Sequence, residues 1–315
     1  MKALVAGWFS FEQMGATAGD LMAADVVGDW LREAGVPFDR ATARPFSGGV
    51  DWRVVDHRAY TLLVFVCGPC GNGEPLTGLL DVFRHCRRVG VDLSMLQPVG
   101  EWNPFDLLLE RDSDRTTRPD LSLLCRQPKV PVVGLCLVHP QREYGCRGRH
   151  AEVETAVRRL LAAREAAVVP IDTRMDENTT GLRTPAEVES LIARMDLLVT
   201  TRLHGVVLAL KNGVPPLVID PIAGGAKVSR QAEVLGWPAV TGADALDDEA
   251  LRRAFDLCST SAARVMARAC AESGLPALYR AKEQFLKATA LGQTLSAGTG
   301  DDPGEVDSHW LNTSP

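Results

Sequence analysis

A guanidinium and an imidazole stand two residues apart where a predicted strand meets a predicted helix. Thr201, Arg202, His204 and Gly205 follow the apolar run 195–199 and precede a helical pattern. With Thr201 as the helix cap, Arg202 and His204 lie in the first turn, where free N–H groups and the helix dipole favour an anion. The pattern predicts a phosphate or carboxylate site, although a capped helix with a packing histidine has the same pattern.

Glycine-containing loops follow two predicted strands in the first half of the chain. Gly19 and Asp20 lie between the first strand and a helix that Asp20 could cap. Gly68 and Gly71 follow the buried strand 61–66, and glycines there allow a backbone to approach a ligand closely. We therefore consider both loops as substrate-binding candidates, with plain strand-to-helix turns as the alternative.

The second of these loops contains the sequence Cys67-Gly68-Pro69-Cys70, which is also the pattern of a dithiol redox site. Such a site needs its first cysteine at a helix N-terminus, whereas the following glycines and Pro75 predict continued loop. No second Cys or His pair has metal-ligand spacing. We expect dithiol chemistry to be the minor alternative and expect no metal site.

Basic residues follow three other predicted strands. Arg111 comes directly after the strand 105–110, Arg142 lies in a polar loop after the strand 130–138, and Lys227 follows the Gly224-Gly225 pair. Each could bind an anionic group, and each could equally be a solvated or salt-bridged surface residue.

Length and pattern favour two α/β domains. The chain has 315 residues, of which 46% are hydrophobic and 23% charged, and strand and helix patterns alternate through most of it. We expect parallel sheets with right-handed crossovers. The predicted domains are residues 1–125 and residues 126–290, the second with terminal helices. Residues 291–315, rich in Gly, Ser, Thr, Asp and Pro, are expected to be disordered.

Composition excludes several classes of partner. The net charge of −6 and the scattered arginines argue against nucleic acid binding. No stretch approaches the roughly 18 apolar residues of a transmembrane helix, and the first apolar run is too short for a signal sequence. Eight cysteines without regular pairing fit a reducing compartment. We expect a cytoplasmic protein, and the sequence does not indicate its oligomeric state.

Residues 195–205, with the following Gly213-Val214-Pro215 and Asp220-Pro221, resemble the C-terminal signature of the polysaccharide pyruvyl transferase family. Arg111-Asp112 is similar to that family's Arg-Asp turn, and Gly19-Asp20 to its N-terminal Gly-Asp element. Two features depart from the family pattern. The Asn-Tyr pattern that usually precedes the Gly-Asp element is missing, and Cys-Gly-Pro-Cys replaces a plain glycine run.

The resemblance implies two Rossmann-like domains facing across a cleft, the glycosyltransferase-B arrangement. It also implies transfer of the pyruvyl group from phosphoenolpyruvate to a sugar, glycan or glycolipid acceptor, without a cofactor. In that reaction the donor's methylene carbon is protonated, a sugar hydroxyl attacks the neighbouring carbon, phosphate leaves, and a second hydroxyl closes a ketal. His204 suits the acid, because imidazole changes charge near neutral pH, and Arg202 and Arg111 suit the donor's phosphate and carboxylate.

Two other functions remain open from the sequence. One is a glycosyltransferase with a nucleotide-sugar donor, which would share the fold. Such enzymes often hold the ribose with an acidic side chain, and residues 203–219 contain no Asp or Glu. The other is a non-catalytic relative that keeps the anion pocket and has lost turnover.

Overall fold

The computed structural model of the chain describes residues 1–296 and divides into two compact units. The first unit is Met1–Pro128 and the second begins at Lys129, so the boundary follows residue 128 rather than the predicted residue 125. Residues 297–315 of the predicted tail lie outside the described residues. The last helix extends to Ser296 and so includes the first residues of the predicted tail, 291–296.

The first unit is a five-stranded parallel sheet with helices on both faces. Its strands pair in the order β2-β1-β3-β5-β7, and a separate parallel pair is formed by β4 and β6. In chain order the elements are β1 (Ala3–Gly7), α1 (Ala18–Glu33), β2 (Phe38–Arg40), β3 (Leu62–Val66), β4 (Pro69–Cys70), α2 (Leu76–Val82), β5 (Arg87–Val91), β6 (Ser94–Met95) and β7 (Leu107–Leu109).

The second unit has the same sheet architecture, with the order β12-β11-β10-β8-β9 and all strand pairs parallel. In chain order the elements are β8 (Val132–Cys136), α3 (His150–Ala162), β9 (Ala167–Pro170), α4 (Pro185–Ile192), β10 (Leu197–Thr200), α5 (Leu203–Lys211), β11 (Pro216–Asp220), α6 (Lys227–Val234), β12 (Val240–Gly242), α7 (Asp248–Cys258) and α8 (Ser261–Ser296). The predicted α/β class with two parallel, Rossmann-like sheets is confirmed.

Each sheet is buried on both faces, as its nearly continuous apolar strands require. In β1, alternate residues belong to different cores: Ala3 and Val5 pack with α1, while Leu4 and Ala6 pack with α2. Among the described residues, no helix combines the length and hydropathy that a membrane crossing needs.

Residues 76–89 have a helical pattern in the sequence, but only the first half of this segment is a helix. The helix α2 ends at Val82, and residues 87–91 form the strand β5 between β3 and β7. The Cβ position of Gly90 lies 2.7 Å from Leu93 and 2.9 Å from Phe105, so a side chain has no room there. The strand is therefore selected by its neighbours in the sheet, which a local helical pattern does not reveal.

In each unit, the strand that comes first in the chain lies in the sheet between the second and third strands of the chain. In the first unit β1 lies between β2 and β3, and in the second β8 lies between β9 and β10. The connections that leave these neighbouring strands run to opposite faces of the sheet, which opens a crevice at the carboxyl ends of the strands. Ligand sites are therefore expected after β1 and β3, and after β8 and β10.

Gly205 allows α5 to pack closely against β10. A Cβ atom at Gly205 would lie 2.2 Å from Oγ1 of Thr200, which is fully buried. That hydroxyl donates to the carbonyl oxygen of Cys136 and accepts the N–H of Arg202. Gly205 was predicted to bind substrate; the structure shows it buried against Thr200, where it has a packing role.

Replacing Gly205 with alanine should lower the free energy of unfolding by about 1–3 kcal/mol, because the added methyl group meets a buried, hydrogen-bonded hydroxyl. Chemical denaturation followed by circular dichroism measures this change. Gly242→Ala is the matched control, since nothing lies within 4 Å of its Cβ position. Equal effects from the two substitutions would contradict the packing role.

Candidate functional site

A small cavity of about 130 Å³ lies at the crevice of the second sheet. It is bounded by the chain that follows β8, by the chain that follows β10, and by the start of α6. The residues that line it are Val138, Gln141, Thr173, Thr201, Arg202, Leu203, His204 and Lys227. The structure thus brings Lys227 together with Thr201, Arg202 and His204, which the sequence predicted as one site.

The start of α5 differs from the prediction by one residue. Arg202, not Thr201, occupies the N-cap position, and Leu203 is the first helical residue. Thr201 is buried and uses its side chain elsewhere, since its Oγ1 accepts the N–H of Val138 at 2.7 Å. The helix has no side-chain cap, so its first backbone N–H groups remain available to an anion in the cavity.

The guanidinium of Arg202 is held by two groups. Its Nε donates to the carbonyl oxygen of Leu137 at 3.0 Å, and its Nη2 lies 3.2 Å from Oδ1 of Asp172. The orientation of the second contact does not make a hydrogen bond, and within residues 1–296 the buried Nη2 has no other acceptor. Arg202 is therefore pre-positioned with one donor atom left over, and only 14% of its side chain is exposed.

Asp172 supplies the negative partner of Arg202 and is almost fully buried. Burial alone would raise the pKa of this carboxyl. The backbone N–H groups of Arg174 and Thr179, the Thr179 hydroxyl and the Arg202 charge outweigh that effect and lower it below its usual value. Asp172 is therefore ionised at neutral pH and keeps the guanidinium in place.

The opposite wall of the cavity depends on Asp220. Its buried carboxylate accepts the N–H groups of Ile222, Ala226 and Ser229 at 3.1, 2.7 and 3.0 Å, which holds the turn before α6. Lys227 begins α6, and its Nζ lies 6.0 Å from the ring centre of Tyr144.

His204, in the first turn of α5, and Lys227 are both exposed to solvent where they line the cavity. The cavity therefore has two cations and an imidazole on its walls. Arg142 lies in a 3₁₀-helix, and its side chain falls outside the described part of the structure.

A second cavity of about 380 Å³ lies in the first unit, at the crevice between β1 and β3. The sequence predicted four of its residues: Gly19, Asp20, Gly68 and Arg111. Its other lining residues are Trp8, Met14, Gly15, Thr17, Cys67, Pro69 and Asp120. Gly71 does not line it; this glycine follows β4 and lies against Leu96 and Gln97.

Asp20 has a different capping role from the one predicted. The helix α1 begins at Ala18 with Thr17 as its N-cap, and Asp20 is the third helical residue. The carboxylate accepts the backbone N–H and the hydroxyl of Thr17 at 2.6 and 2.8 Å. Asp20 therefore closes the first turn from inside the helix.

The positive charge of Arg111 is matched by carboxylates. Its Nη1 donates to Asp120 at 2.8 Å, its Nε donates to Asp112 at 3.3 Å, and its Nη2 donates to Oγ of Ser94. All three guanidinium nitrogens thus have partners within the protein. Arg111 lines the first-unit cavity, while Arg202 lines the cavity of the second unit.

Cys67 forms part of the wall beside Arg111. Its sulfur and carboxylate oxygens of Asp92 and Asp120 lie within 4.8 Å of one another, a donor set that the sequence spacing had not suggested. The guanidinium of Arg111 contacts the same group, with Nη1 3.7 Å from Sγ of Cys67. Burial and the neighbouring Asp20 raise the pKa of the Cys67 thiol to about 12, so the thiol is neutral at pH 7.

The sequence analysis did not single out Trp8, Asp120 or Asp172 as site residues. Asp172 had a usable signal, because it comes two residues after the end of β9, at the carboxyl edge of the sheet. Trp8 likewise follows β1 directly. Asp120 lies in the long connection after β7 and had no such signal.

The polysaccharide pyruvyl transferase family model matches residues 159–221. The match includes β10, the Thr201 to Gly205 segment, α5 and β11, and it ends after Asp220. The predicted resemblance to this family is confirmed over these residues. No curated protein matches the sequence.

Solved structures with a similar chain course include sugar-processing enzymes. A calicheamicin glycosyltransferase is 14% identical, covers 91% of this chain and 98% of its own, and has a TM-score of 0.35. A spinosyn forosaminyltransferase is 14% identical, with coverages of 89% and 98% and a TM-score of 0.30. A UDP-GlcNAc 2-epimerase from Methanocaldococcus jannaschii is 10% identical, with coverages of 89% and 100% and a TM-score of 0.32.

The two cysteines of the Cys-Gly-Pro-Cys loop should resist alkylation at pH 8 in the folded protein, because burial raises the pKa of each thiol to about 12. Cys146 is exposed and serves as the internal control. Mass spectrometry after iodoacetamide treatment should find Cys146 modified and Cys67 and Cys70 intact. Rapid modification of Cys67 at this pH would instead support thiolate chemistry.

Proposed function

We propose that the protein is a pyruvyl transferase that takes phosphoenolpyruvate as donor and a sugar, glycan or glycolipid hydroxyl as acceptor. The observation that carries the proposal is the cavity at the start of α5, where Arg202, His204 and Lys227 converge. That cavity lies at the crevice of the sheet, and most of its basic wall falls within the segment that matches the pyruvyl transferase family.

The charges of the cavity suit a small molecule with two anionic groups. Phosphoenolpyruvate carries a phosphate and a carboxylate, and each needs a fixed positive partner. Arg202 lines the cavity with a guanidinium that Leu137 and Asp172 hold in place, Lys227 offers an ammonium group, and the uncapped helix offers backbone N–H groups. An oxygen of the donor that reaches the guanidinium would make a charge-assisted hydrogen bond.

The cavity is of a size that suits a small donor such as phosphoenolpyruvate. Drug-sized ligands occupy cavities of roughly 300–1,000 Å³, and this one measures about 130 Å³. A nucleoside diphosphate with its sugar is much larger than phosphoenolpyruvate. The segment 203–219 also lacks an acidic residue to hold a ribose.

His204 is the proposed acid. It lies on the first turn of α5 with solvent access and shares the cavity with Arg202. A protonated imidazole can deliver a proton to the methylene carbon of the donor while the acceptor hydroxyl attacks the adjacent carbon. Loss of phosphate follows, and the basic wall stabilises the departing charge.

Phosphoenolpyruvate should bind saturably to the wild type, and Arg202→Ala should weaken binding about tenfold to a hundredfold, because charge-assisted hydrogen bonds contribute about 1.5–3 kcal/mol. Isothermal titration calorimetry measures both affinities. Lys211→Ala, at the other end of α5 and paired with Glu189, is the control and should leave the affinity unchanged. Binding of nucleotide sugars with phosphoenolpyruvate inert would replace the proposed donor.

Replacing His204 with asparagine should leave phosphoenolpyruvate affinity within a few-fold of wild type and slow phosphate release about a hundred- to ten-thousand-fold. The assay follows inorganic phosphate in the presence of a panel of glycosides and glycolipids. A wild type that binds phosphoenolpyruvate tightly but releases no phosphate with any acceptor would instead indicate a non-catalytic anion-binding protein.

A further inference from the structure

The first-unit cavity has a rigid aromatic wall. The indole of Trp8 donates from Nε1 to the carbonyl oxygen of Pro69 at 3.0 Å and meets Phe65 edge-on at 5.9 Å. Gly68 has a φ of +80°, and a Cβ atom there would lie 2.3 Å from Cδ1 of Trp8. The glycine therefore lets the indole edge approach the backbone closely, and the half-buried Trp8 lines the cavity.

The same cavity is lined by hydrogen-bond acceptors. Asp20 is only 7% exposed, and Thr17 occupies its Oδ2, which leaves Oδ1 toward Gly68. Asp120 lines the same space and holds Arg111. An aromatic ring and fixed carboxylates in one cavity match a sugar ring, which has an apolar face of C–H groups and an edge of hydroxyl donors.

The charge of this cavity is negative. Asp20 and Asp120 line it, and the Cys67 thiol is neutral. Among the described residues its only lining cation is Arg111, which Asp112 and Asp120 both contact. Carboxylates therefore outnumber the guanidinium, and every nitrogen of that guanidinium already has a partner. A phosphate or carboxylate entering the cavity would meet like charges and would lose its hydration without a free cation.

We propose that the first-unit cavity binds the acceptor, that the acceptor is a sugar ring without an anionic substituent, and that Trp8 is the residue on which this ring lies. The inference rests on the proposed pyruvyl transfer and adds to it the chemical class of the acceptor. Hydroxyl groups of the ring donate to Asp20 and Asp120, while its apolar face covers the indole. An amine on the ring is tolerated or favoured, and a phosphate or a uronic carboxylate is excluded.

Saturation-transfer NMR on the full chain tests this assignment. The probes are methyl glucoside, methyl galactoside, methyl mannoside, glucosamine and N-acetylglucosamine, compared with glucose 6-phosphate and glucuronate. We expect saturable binding of one or more of the first group, and at least about tenfold weaker binding of the two anions. Anions that bind as well as the neutral sugars, or an absence of binding by every neutral and amino sugar, would overturn the proposal.

Two variants separate the aromatic wall from a general effect on folding. Trp8→Leu should weaken sugar binding about tenfold, whereas Trp30→Leu, on the exposed surface of α1 in the same unit, should leave it unchanged. Equal affinities of Trp8→Leu and wild type, with both folded by circular dichroism, would contradict the role of the indole.

A third variant tests the charge. Asp120→Asn removes one carboxylate and releases the strongest partner of Arg111, so glucose 6-phosphate should gain about tenfold in affinity while neutral sugars gain nothing. An unchanged preference against the phosphate would contradict the electrostatic exclusion.

The outcome is independent of the donor experiment. If sugars bind as expected and phosphoenolpyruvate does not bind, the proposed reaction fails while the acceptor cavity stands. If phosphoenolpyruvate binds through Arg202 and the sugar measurements fail, only this inference is lost.

Discussion

The order in which parallel strands pair is the constraint on which both cavities depend. In each unit the first strand is enclosed by the second and the third, so the chain leaves two adjacent strands toward opposite faces. The loops diverge at that point, so the order of the strands is enough to open a crevice. Side chains then decide what the crevice holds: a basic wall at the start of α5, and an aromatic and acidic wall beside β1 and β3.

Buried carboxylates keep these walls in place. Asp172 and Asp220 accept backbone N–H groups from loops that would otherwise have unsatisfied donors, and Asp20 does the same at the start of α1. Asp172 also contacts Arg202, and Asp220 holds the turn that precedes Lys227. Asp20 lies next to Gly68. The residues expected to meet substrate therefore depend on acids that do not react.

The sequence was sufficient for the fold class and for the basic site, because both have local signals. Apolar runs of strand length alternate with helical patterns, and Arg202 and His204 follow one such run directly. It was insufficient for β5, because pairing with β3 and β7 overrides a helical pattern there. It was also insufficient for the cap of α5, because the Thr201 hydroxyl accepts the N–H of Val138 instead of capping the helix.

Long-range partners had no local signal either. The hydrogen bond between Arg111 and Asp120 joins residues nine positions apart across a loop. The contact of Arg202 with Asp172 joins the chain after β10 to the chain after β9. The first pair depends on the course of that loop, and the second pair meets only because the sheet brings the ends of β9 and β10 close together. For Arg111, the partners changed the interpretation from a free anion-binding group to a neutralised one.

The hydrophobic cores have a thermodynamic consequence. The clusters around α1 and α2 draw their residues from the first unit alone, and the clusters around α3 to α8 draw theirs from the second. Because each unit has a hydrophobic core of its own, a substitution in one core is expected to shift the unfolding transition of the unit that contains it.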